Sequence, residues 1–160
     1  MSGDLTVRRA CAADAPAILE CLRAAFEPYH SSYTRDAFHD TVLTPETLGE
    51  RLGAMSVLVA VDPAGNIVGT IACALIDANE GHLRAMAVLP AWQGQGIAPQ
   101  LLQAAEEELA ARGCVRITLD TTEPLLRAVR FYEKHGYRRT GRTTDFFGMP
   151  LHEYAKDLSA

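Results

Sequence analysis

Residues 88–98 read Val88-Leu89-Pro90-Ala91-Trp92-Gln93-Gly94-Gln95-Gly96-Ile97-Ala98. An apolar run ends at Val88, two glycines open backbone conformations closed to other residues, and an amphipathic stretch begins at Ile97. The pattern is strand, glycine-rich turn, helix. Such a turn leaves N–H groups of the first helical turn unpaired, and with the helix dipole they form an anion site that suits a diphosphate. A P-loop is excluded because no Gly-Lys-Ser/Thr follows. The dinucleotide fingerprint Gly-x-Gly-x-x-Gly is met only at Gly94 and Gly96, with Pro99 in the place of its third glycine. Pro90-Ala91-Trp92 also separate the strand from the glycines, where that fingerprint needs a tight turn.

Working outward, residues 97–112 form the best helix of the chain. Leu101, Ala105 and Leu109 line one face, Glu106 to Glu108 are expected mostly outside, and Gly113 is the stop. Upstream, residues 81–88 read as a fourth strand. It follows a hairpin of two strands, Val57-Val59-Val61 on one face and Ile67 to Ile76, joined by the turn Pro63-Ala64-Gly65-Asn66. Leu5 and Val7 mark a short first strand. Asp14, with Pro16 in the first turn, is expected to cap a helix carrying Ile18, Leu22 and Phe26, and Thr44-Pro45-Glu46 opens a second. Downstream, Val115, Ile117 and Leu119 share one face of a fifth strand. A helix runs from about Pro124 to His135, and Tyr137–Arg142 and Leu151–Lys156 are weaker strands. The order is strand, two helices, three strands, helix, strand, helix, two strands. It implies a mixed sheet with helices packed on it, in one domain over residues 1–160.

The composition sets outer bounds. A chain of 160 residues with 48% hydrophobic and 22% charged residues is an ordinary globular domain. Its longest apolar run, Ile71 to Ile76, is too short to span a membrane, and Met-Ser-Gly-Asp does not begin a signal peptide, so the cytoplasm is expected. The net charge of −5 argues against a nucleic-acid partner. Residues 1–80 hold 5 basic and 11 acidic side chains, residues 81–160 hold 10 and 9, so the half bearing the glycine-rich turn is the less acidic. The four cysteines, Cys11, Cys21, Cys73 and Cys114, are widely spaced with no metal-binding pattern; free thiols and no metal are expected.

Two stretches together carry a resemblance. Val88-Leu89-Pro90 followed by Gln93-Gly94-Gln95-Gly96-Ile97-Ala98 resembles motif A of the GCN5-related N-acetyltransferase (GNAT) superfamily. Ala128-Val129-Arg130-Phe131-Tyr132-Glu133-Lys134-His135-Gly136-Tyr137 looks like its motif B, at the right distance. The resemblance, to a bacterial-type single-domain member, implies an α/β (α+β) fold. Its central sheet would be mixed, mostly antiparallel, of six to seven strands, with splayed fourth and fifth strands and about four helices. It implies acetyl-CoA as cosubstrate, with its pyrophosphate on the amides of Gln93, Gly94, Gln95, Gly96, Ile97 and Ala98. Its pantetheine arm would lie along Met86, Ala87 and Val88. Arg127, with its basic neighbours around the last helix, is a candidate for the phosphates. One departure is Leu125, which stands where the family often has a cofactor-contacting Asn.

The same resemblance makes Tyr132 the general acid for the departing CoA thiolate. A phenol of pKa ~10 is protonated at pH 7 and can donate to a thiolate of pKa ~8.5. Alternation puts Glu80, His82 and Arg84 on one face of the fourth strand; His82 is the candidate base, with Glu80 the alternative, and some relatives use no dedicated base. The acceptor site would draw on the loop after the first helix and on the last hairpin, with Phe26, Tyr29, Tyr33 and Phe146 as candidates; aromatics with nearby acids suit a cationic amine. The reading is an N-acetyltransferase for a small-molecule primary amine, monomeric or homodimeric, with no nucleic-acid or membrane partner. A protein amine as acceptor, and a non-enzymatic acyl-CoA-binding domain, are the alternatives.

Overall fold

A computed structural model describes residues 4–158; of the acidic start Met-Ser-Gly-Asp, only Asp4 lies within them. The chain runs β1 (Thr6–Arg9), α1 (Ala15–Phe26), α2 (Arg35–Val42), α3 (Pro45–Ala54), β2 (Ser56–Val61), β3 (Ile67–Leu75) and β4 (Glu80–Val88). It continues as α4 (Ile97–Ala111), β5 (Arg116–Thr122), α5 (Leu126–Lys134), β6 (Arg138–Phe146) and β7 (Met149–Asp157). The seven strands form one sheet in the order β1-β2-β3-β4-β5-β7-β6. Every pairing is antiparallel except β4 with β5.

Alternate side chains of β2 feed two cores. Leu58 and Ala60 pack with α4, while Val57 and Val59 pack with Ile18 and Leu22 of α1 and Leu48 of α3. A strand covered on both faces needs no polar side, which is why Ser56–Val61 is almost wholly apolar. The turn into β3 is fixed by Asp62, whose carboxylate accepts the N–H groups of Ala64 (2.9 Å) and Asn66 (2.8 Å). Packing of α4 on the sheet is very close. A Cβ on Gly69 would stand 2.9 Å from Leu101 Cδ1, and one on Gly81 2.8 Å from Leu109 Cδ1.

Several expectations need correction. The helix α2 and a 3₁₀ segment Glu27–Ser32 stand where only a loop was expected. Their sequence is polar and α2 buries only Ala37, Phe38 and Val42, too few to show a helical stripe; Thr34 caps it through Ala37 N–H. Asp14 is the N-cap residue of α1, as expected, but its side chain makes no capping hydrogen bond. Its carboxylate accepts from Arg8 (2.8 and 3.0 Å) and from the Cys11 N–H (2.8 Å), and these bonds hold it far below the usual carboxylate range. Val115 lies before β5 and is 56% exposed, so only Ile117 and Leu119 of that trio face the core. Glu106 and Glu108 are half-buried rather than outside. Glu106 accepts from Tyr137 (2.7 Å) and Lys156 (3.0 Å), and Glu108 pairs with Arg9 (3.2 Å). Strands β6 and β7 are longer than expected, each nine residues, and Tyr137 lies in the core just ahead of β6.

One irregularity positions everything that follows. In β4 the register against β3 slips between Thr70 and Ala72, so Ala85 and Met86 together oppose Ile71. Ala85 sits at φ 55°, a left-handed conformation costly for a residue with a Cβ. This bulge turns the strand. Pairing between β4 and β5 covers only Glu80–Leu83 with Arg116–Leu119; beyond it, Asp120–Thr122 pair with β7 alone. The parallel strands splay, and the gap between them opens the sheet.

Candidate active site

Two cavities meet at that gap. The first, of about 470 Å³, runs between the end of β4, the glycine-rich turn, the start of α4 and one face of α5. Gly94 (φ 79°) and Gly96 (φ 81°) both take left-handed conformations, and a Cβ at either would meet nothing within 4 Å. Glycine is needed there for the backbone angle, not for room. Gly96 is the N-cap of α4 and no side chain caps the helix, so the N–H groups of its first turn lack a side-chain acceptor. The loop is held from its flanks: Gln93 donates to Val88 O (3.1 Å) and accepts from Arg127 (3.2 Å). This cavity also contains a buried polar atom with no partner among the described residues, Thr121 Oγ1. A free amide cradle, an apolar wall and an orphaned hydroxyl fit an anionic, elongated ligand of the acyl-CoA kind.

The structure brings Met86, Ala87, Val88, Gln93, Gly94, Gly96, Ile97, Ala98, Arg127 and Tyr132 together on the walls of this groove, with Phe26 and Tyr29 at one side. Gln95 does not reach it; its side chain donates to Ala91 O (3.3 Å). Leu125, in the place of the frequent Asn, lines the groove with an apolar side chain.

The second cavity, of about 310 Å³, lies deeper toward α2, α3 and β7. Tyr132, Phe26, Ala85, Asp120 and Leu125 belong to both cavities. Tyr132 is the buried residue of α5, packed edge-on against Tyr137 at 5.7 Å. No hydrogen bond engages its hydroxyl among the described residues, and burial raises its pKa above the phenol's usual value. It is a protonated, unengaged donor where the two spaces join.

Tyr33 and Phe146 line the second cavity; Tyr33 is fixed by a 2.8 Å hydrogen bond between its hydroxyl and that of Thr122. Its titratable residues besides the tyrosines are Asp40, Arg51, His82, Arg84 and Asp120. His82 Nδ1 lies 2.8 Å from Thr118 Oγ1, and Nε2 lies 3.5 Å from an Asp120 carboxylate oxygen. Burial lowers the His82 pKa, with Asp120 opposing, and raises that of Asp120, with His82 opposing. The imidazole is therefore neutral at pH 7 and able to accept a proton. Glu80 lies outside both cavities, on a polar trough beside them, paired with Arg116 at 3.2 Å.

Three residues escaped the sequence reading: Asp120, Arg51 and Asp40, the last paired with Arg84 at 2.8 Å. The period-two alternation of β5 puts Asp120 on the face of Thr118, but only the parallel register His82↔Thr118 brings that face to His82. Arg51 sits on α3 and carried no sequence signal. Among the cysteines, three are buried; burial pushes Cys21 and Cys73 up to about 12, which leaves neither thiol nucleophilic at neutral pH. No helix among the described residues is long and apolar enough to cross a membrane.

Comparison with known proteins gives the family and the fold. A family model described as the acetyltransferase (GNAT) family matches residues 15–137. An acetyltransferase of Agrobacterium fabrum is 43% identical over 60 residues, which is 38% of this chain and 42% of that protein, so the match spans well under half of the curated relative. The PaiA N-acetyltransferase of Thermoplasma acidophilum, solved in complex with coenzyme A, superposes with a TM-score of 0.80 at 19% identity, covering 97% of this chain and 99% of that one. YncA of Salmonella typhimurium, solved with its cofactor acetyl-CoA, gives 0.75 at 19%, covering 99% and 96%. At these identities the structural likenesses speak to the fold.

Proposed function

The chain belongs to the acetyltransferase (GNAT) family, and from that premise we propose that it is an acetyl-CoA-dependent N-acetyltransferase acting on a primary amine of a small molecule. The observation that carries this is the convergence of an anion-accepting groove and a separate polar cavity on one unengaged phenol, Tyr132. Coenzyme A complexes of structural relatives support the cosubstrate.

In this reading Gly94 to Ala98 hold the pyrophosphate, Arg127 flanks it, and the backbone of Met86 to Val88 borders the pantetheine arm. Acetyl-CoA supplies an activated acyl carbon as a thioester. The acceptor, present in the second cavity as the neutral amine, uses its nitrogen lone pair to form the new C–N bond as the C–S bond breaks, and the proton that nitrogen sheds goes to His82, directly or through water. The sulfur keeps the electron pair of the broken bond and takes a proton from Tyr132; the proton on His82 then returns to the tyrosinate through water, which resets both groups. The products are the N-acetyl amide and free CoA thiol. Burial disfavours the tyrosinate, but a thiolate released beside it is desolvated as well, so donor and acceptor remain matched. The high pKa values of the buried cysteines support direct attack over an acyl-cysteine route.

Acetyl-CoA is expected to raise the melting temperature while NAD does not, and an amine panel with acetyl-CoA should release thiol and yield acetylated product by mass spectrometry. Stabilisation by NAD and not by acetyl-CoA would overturn the reading. Acetyl-CoA binding without transfer to any amine would favour a binding domain.

A further inference from the structure

The second cavity contains a buried guanidinium that no side chain among the described residues engages. Arg51, on α3, is 9% exposed and lines the cavity. Among the described residues its guanidinium makes no hydrogen bond and no ion pair, and Nη1 is fully buried without a partner. The nearest acid, Asp40, is already engaged by Arg84 at 2.8 Å. Two guanidinium groups thus share one carboxylate, leaving one positive charge in excess at this wall. Burial and the Arg84 charge lower the Arg51 pKa only to about 10, so it stays charged at neutral pH. Buried arginines are almost always paired, because an uncompensated buried charge is strongly destabilising. An unsatisfied guanidinium in the wall of a cavity is the arrangement expected of a binding group whose partner arrives with the ligand.

The cavity also carries the other sign, within reach of the Arg84 charge. Asp120, beside the neutral His82, faces the junction with the groove, where the amine must sit to reach the acyl carbon. Phe26, Tyr33 and Phe146 add aromatic surface to the same cavity. A volume of about 310 Å³ is at the small end of ligand pockets, enough for one compact molecule.

We propose that the acceptor is a zwitterion of the amino-acid class, its carboxylate held by the fork of Arg51 beside Arg84, its amine at Asp120 and Tyr132, and an apolar side chain among the aromatics. A carboxylate matches the planar guanidinium with two parallel hydrogen bonds, which neither a neutral amide nor a plain amine can supply. The inference deepens the acetyl-transfer reading and rests on it for the site's purpose, but the carboxylate subsite is testable without any transfer.

The test pairs each standard L-amino acid with its amide. The amide keeps shape and size, loses the negative charge and has a less basic amine, so amine acidity alone would favour the amide. In the absence of acetyl-CoA, melting curves and titration calorimetry should show binding of one or more amino acids and at least tenfold weaker binding of the matching amides. With acetyl-CoA, Arg51→Met should raise the KM of those amino acids by about 30-fold, the scale of a lost charge-assisted hydrogen-bond pair, without moving the KM of acetyl-CoA. Arg51→Lys, which keeps the charge but not the fork, should fall between. Removing an unpaired buried charge should also raise the melting temperature of the free protein in Arg51→Met; a structural arginine would give the opposite sign. Amides bound and acetylated as well as the acids, no amino acid bound at all, or an unchanged KM in Arg51→Met would each overturn the proposal. Amino-acid binding that depends on Arg51 in a protein that ignores acetyl-CoA would leave this subsite standing and sink the transfer reading. Transfer to amides as readily as to acids would do the reverse.

Discussion

The two cavities that meet at Tyr132 are built in contrasting ways. The groove on the α4 side is made chiefly from two short contiguous segments, Ala85–Pro99 and Leu125–His135, and what it presents is backbone: left-handed glycines, N–H groups at a helix start, the open edge of a bulged strand. The cavity on the α3 side is gathered from α1, α2, α3, β4, β5, α5 and the β6–β7 hairpin, and what it presents is charge: Arg51 and Arg84 with Asp40, and Asp120 with His82. A backbone cradle suits a ligand that is the same across many proteins. A side-chain cradle can be re-specified one residue at a time. The contrast predicts that variants on the two sides separate cleanly in kinetics, and that only residues at the junction affect both.

The largest expected effect is at the junction. Tyr132→Phe should lower kcat by about 10³-fold while leaving both KM values near the wild type, because the proton it gives is needed only as the C–S bond breaks. The folded state should not suffer, since the hydroxyl has no hydrogen-bond partner to lose among the described residues and the ring still packs on Tyr137. Steady-state rates and melting curves on the one variant decide it. Unchanged turnover would remove Tyr132 as the acid, and a raised KM for one substrate alone would assign it to that substrate's cavity rather than to the junction.

The same contrast explains what could be read from the amino acids in order. Glycines with positive φ, a helix start and an apolar face are local, and local spacing shows them: the strand–turn–helix at Val88–Ala98 and the Leu101–Ala105–Leu109 face of α4 were legible, as was the seven-strand mixed sheet they belong to. What was not legible depended on register. His82 meets Thr118 and Asp120 only because β4 pairs parallel to β5 over four residues and then leaves it. The departure is caused by a bulge at Ala85, a residue with no intrinsic preference for φ 55°. Arg51 looks like any arginine in the last turn of a short helix, and what sets it apart is that Nη1 is buried with no partner among the described residues. Asp14 shows the complementary failure: the right residue stood at a helix start, but Arg8 on the neighbouring strand offered its carboxylate a charged partner.

A smaller effect should follow on the charged side alone. His82→Gln keeps a hydrogen-bonding side chain beside Thr118 and removes the base, so kcat/KM for the amine should fall by about 10²-fold, with the KM of acetyl-CoA unmoved. The acid limb of the wild-type pH profile should lie below the ordinary imidazole value of ~6.5, because burial depresses the His82 pKa. Stability has the matching sign. Below ~6.5 the unfolded chain binds this proton more readily than the folded one, so the contribution of His82 is present above that pH and is lost as pH falls through its folded value. Asp120, with a raised pKa, acts oppositely, adding stability at acid pH that disappears as pH rises through its folded value. In His82→Gln only the second remains, and its melting temperature should decline less between pH ~6.5 and ~5 than that of the wild type. An identical decline in both proteins would mean that His82 is not buried as a neutral imidazole.

The smallest effect, and the sharpest separation, belongs to the backbone side. Gly96 holds φ 81° at the N-cap of α4, where an added Cβ meets nothing within 4 Å. Gly96→Ala therefore introduces no clash, only the left-handed penalty of ~1–2 kcal/mol for a residue with a Cβ. The chain can relieve that strain by rotating the peptide next to it, which re-aims an N–H of the cradle. The KM of acetyl-CoA should rise about tenfold, while the amine KM and any binding that depends on Arg51 stay put. Strain also lowers stability, so the variant needs a partner that feels strain and nothing else. Gly65, in the β2–β3 turn, has φ 91°, likewise with no atom within 4 Å of an added Cβ, and it lines neither cavity. Gly65→Ala should lose a similar few degrees of melting temperature at unaltered KM for both substrates. If the two alanine variants match in stability and differ in the acetyl-CoA KM, the glycines of the turn are there to aim amides. If they match in both, the turn at Gly94–Gly96 is only a connection between a strand and a helix, and the groove takes its ligand by its walls.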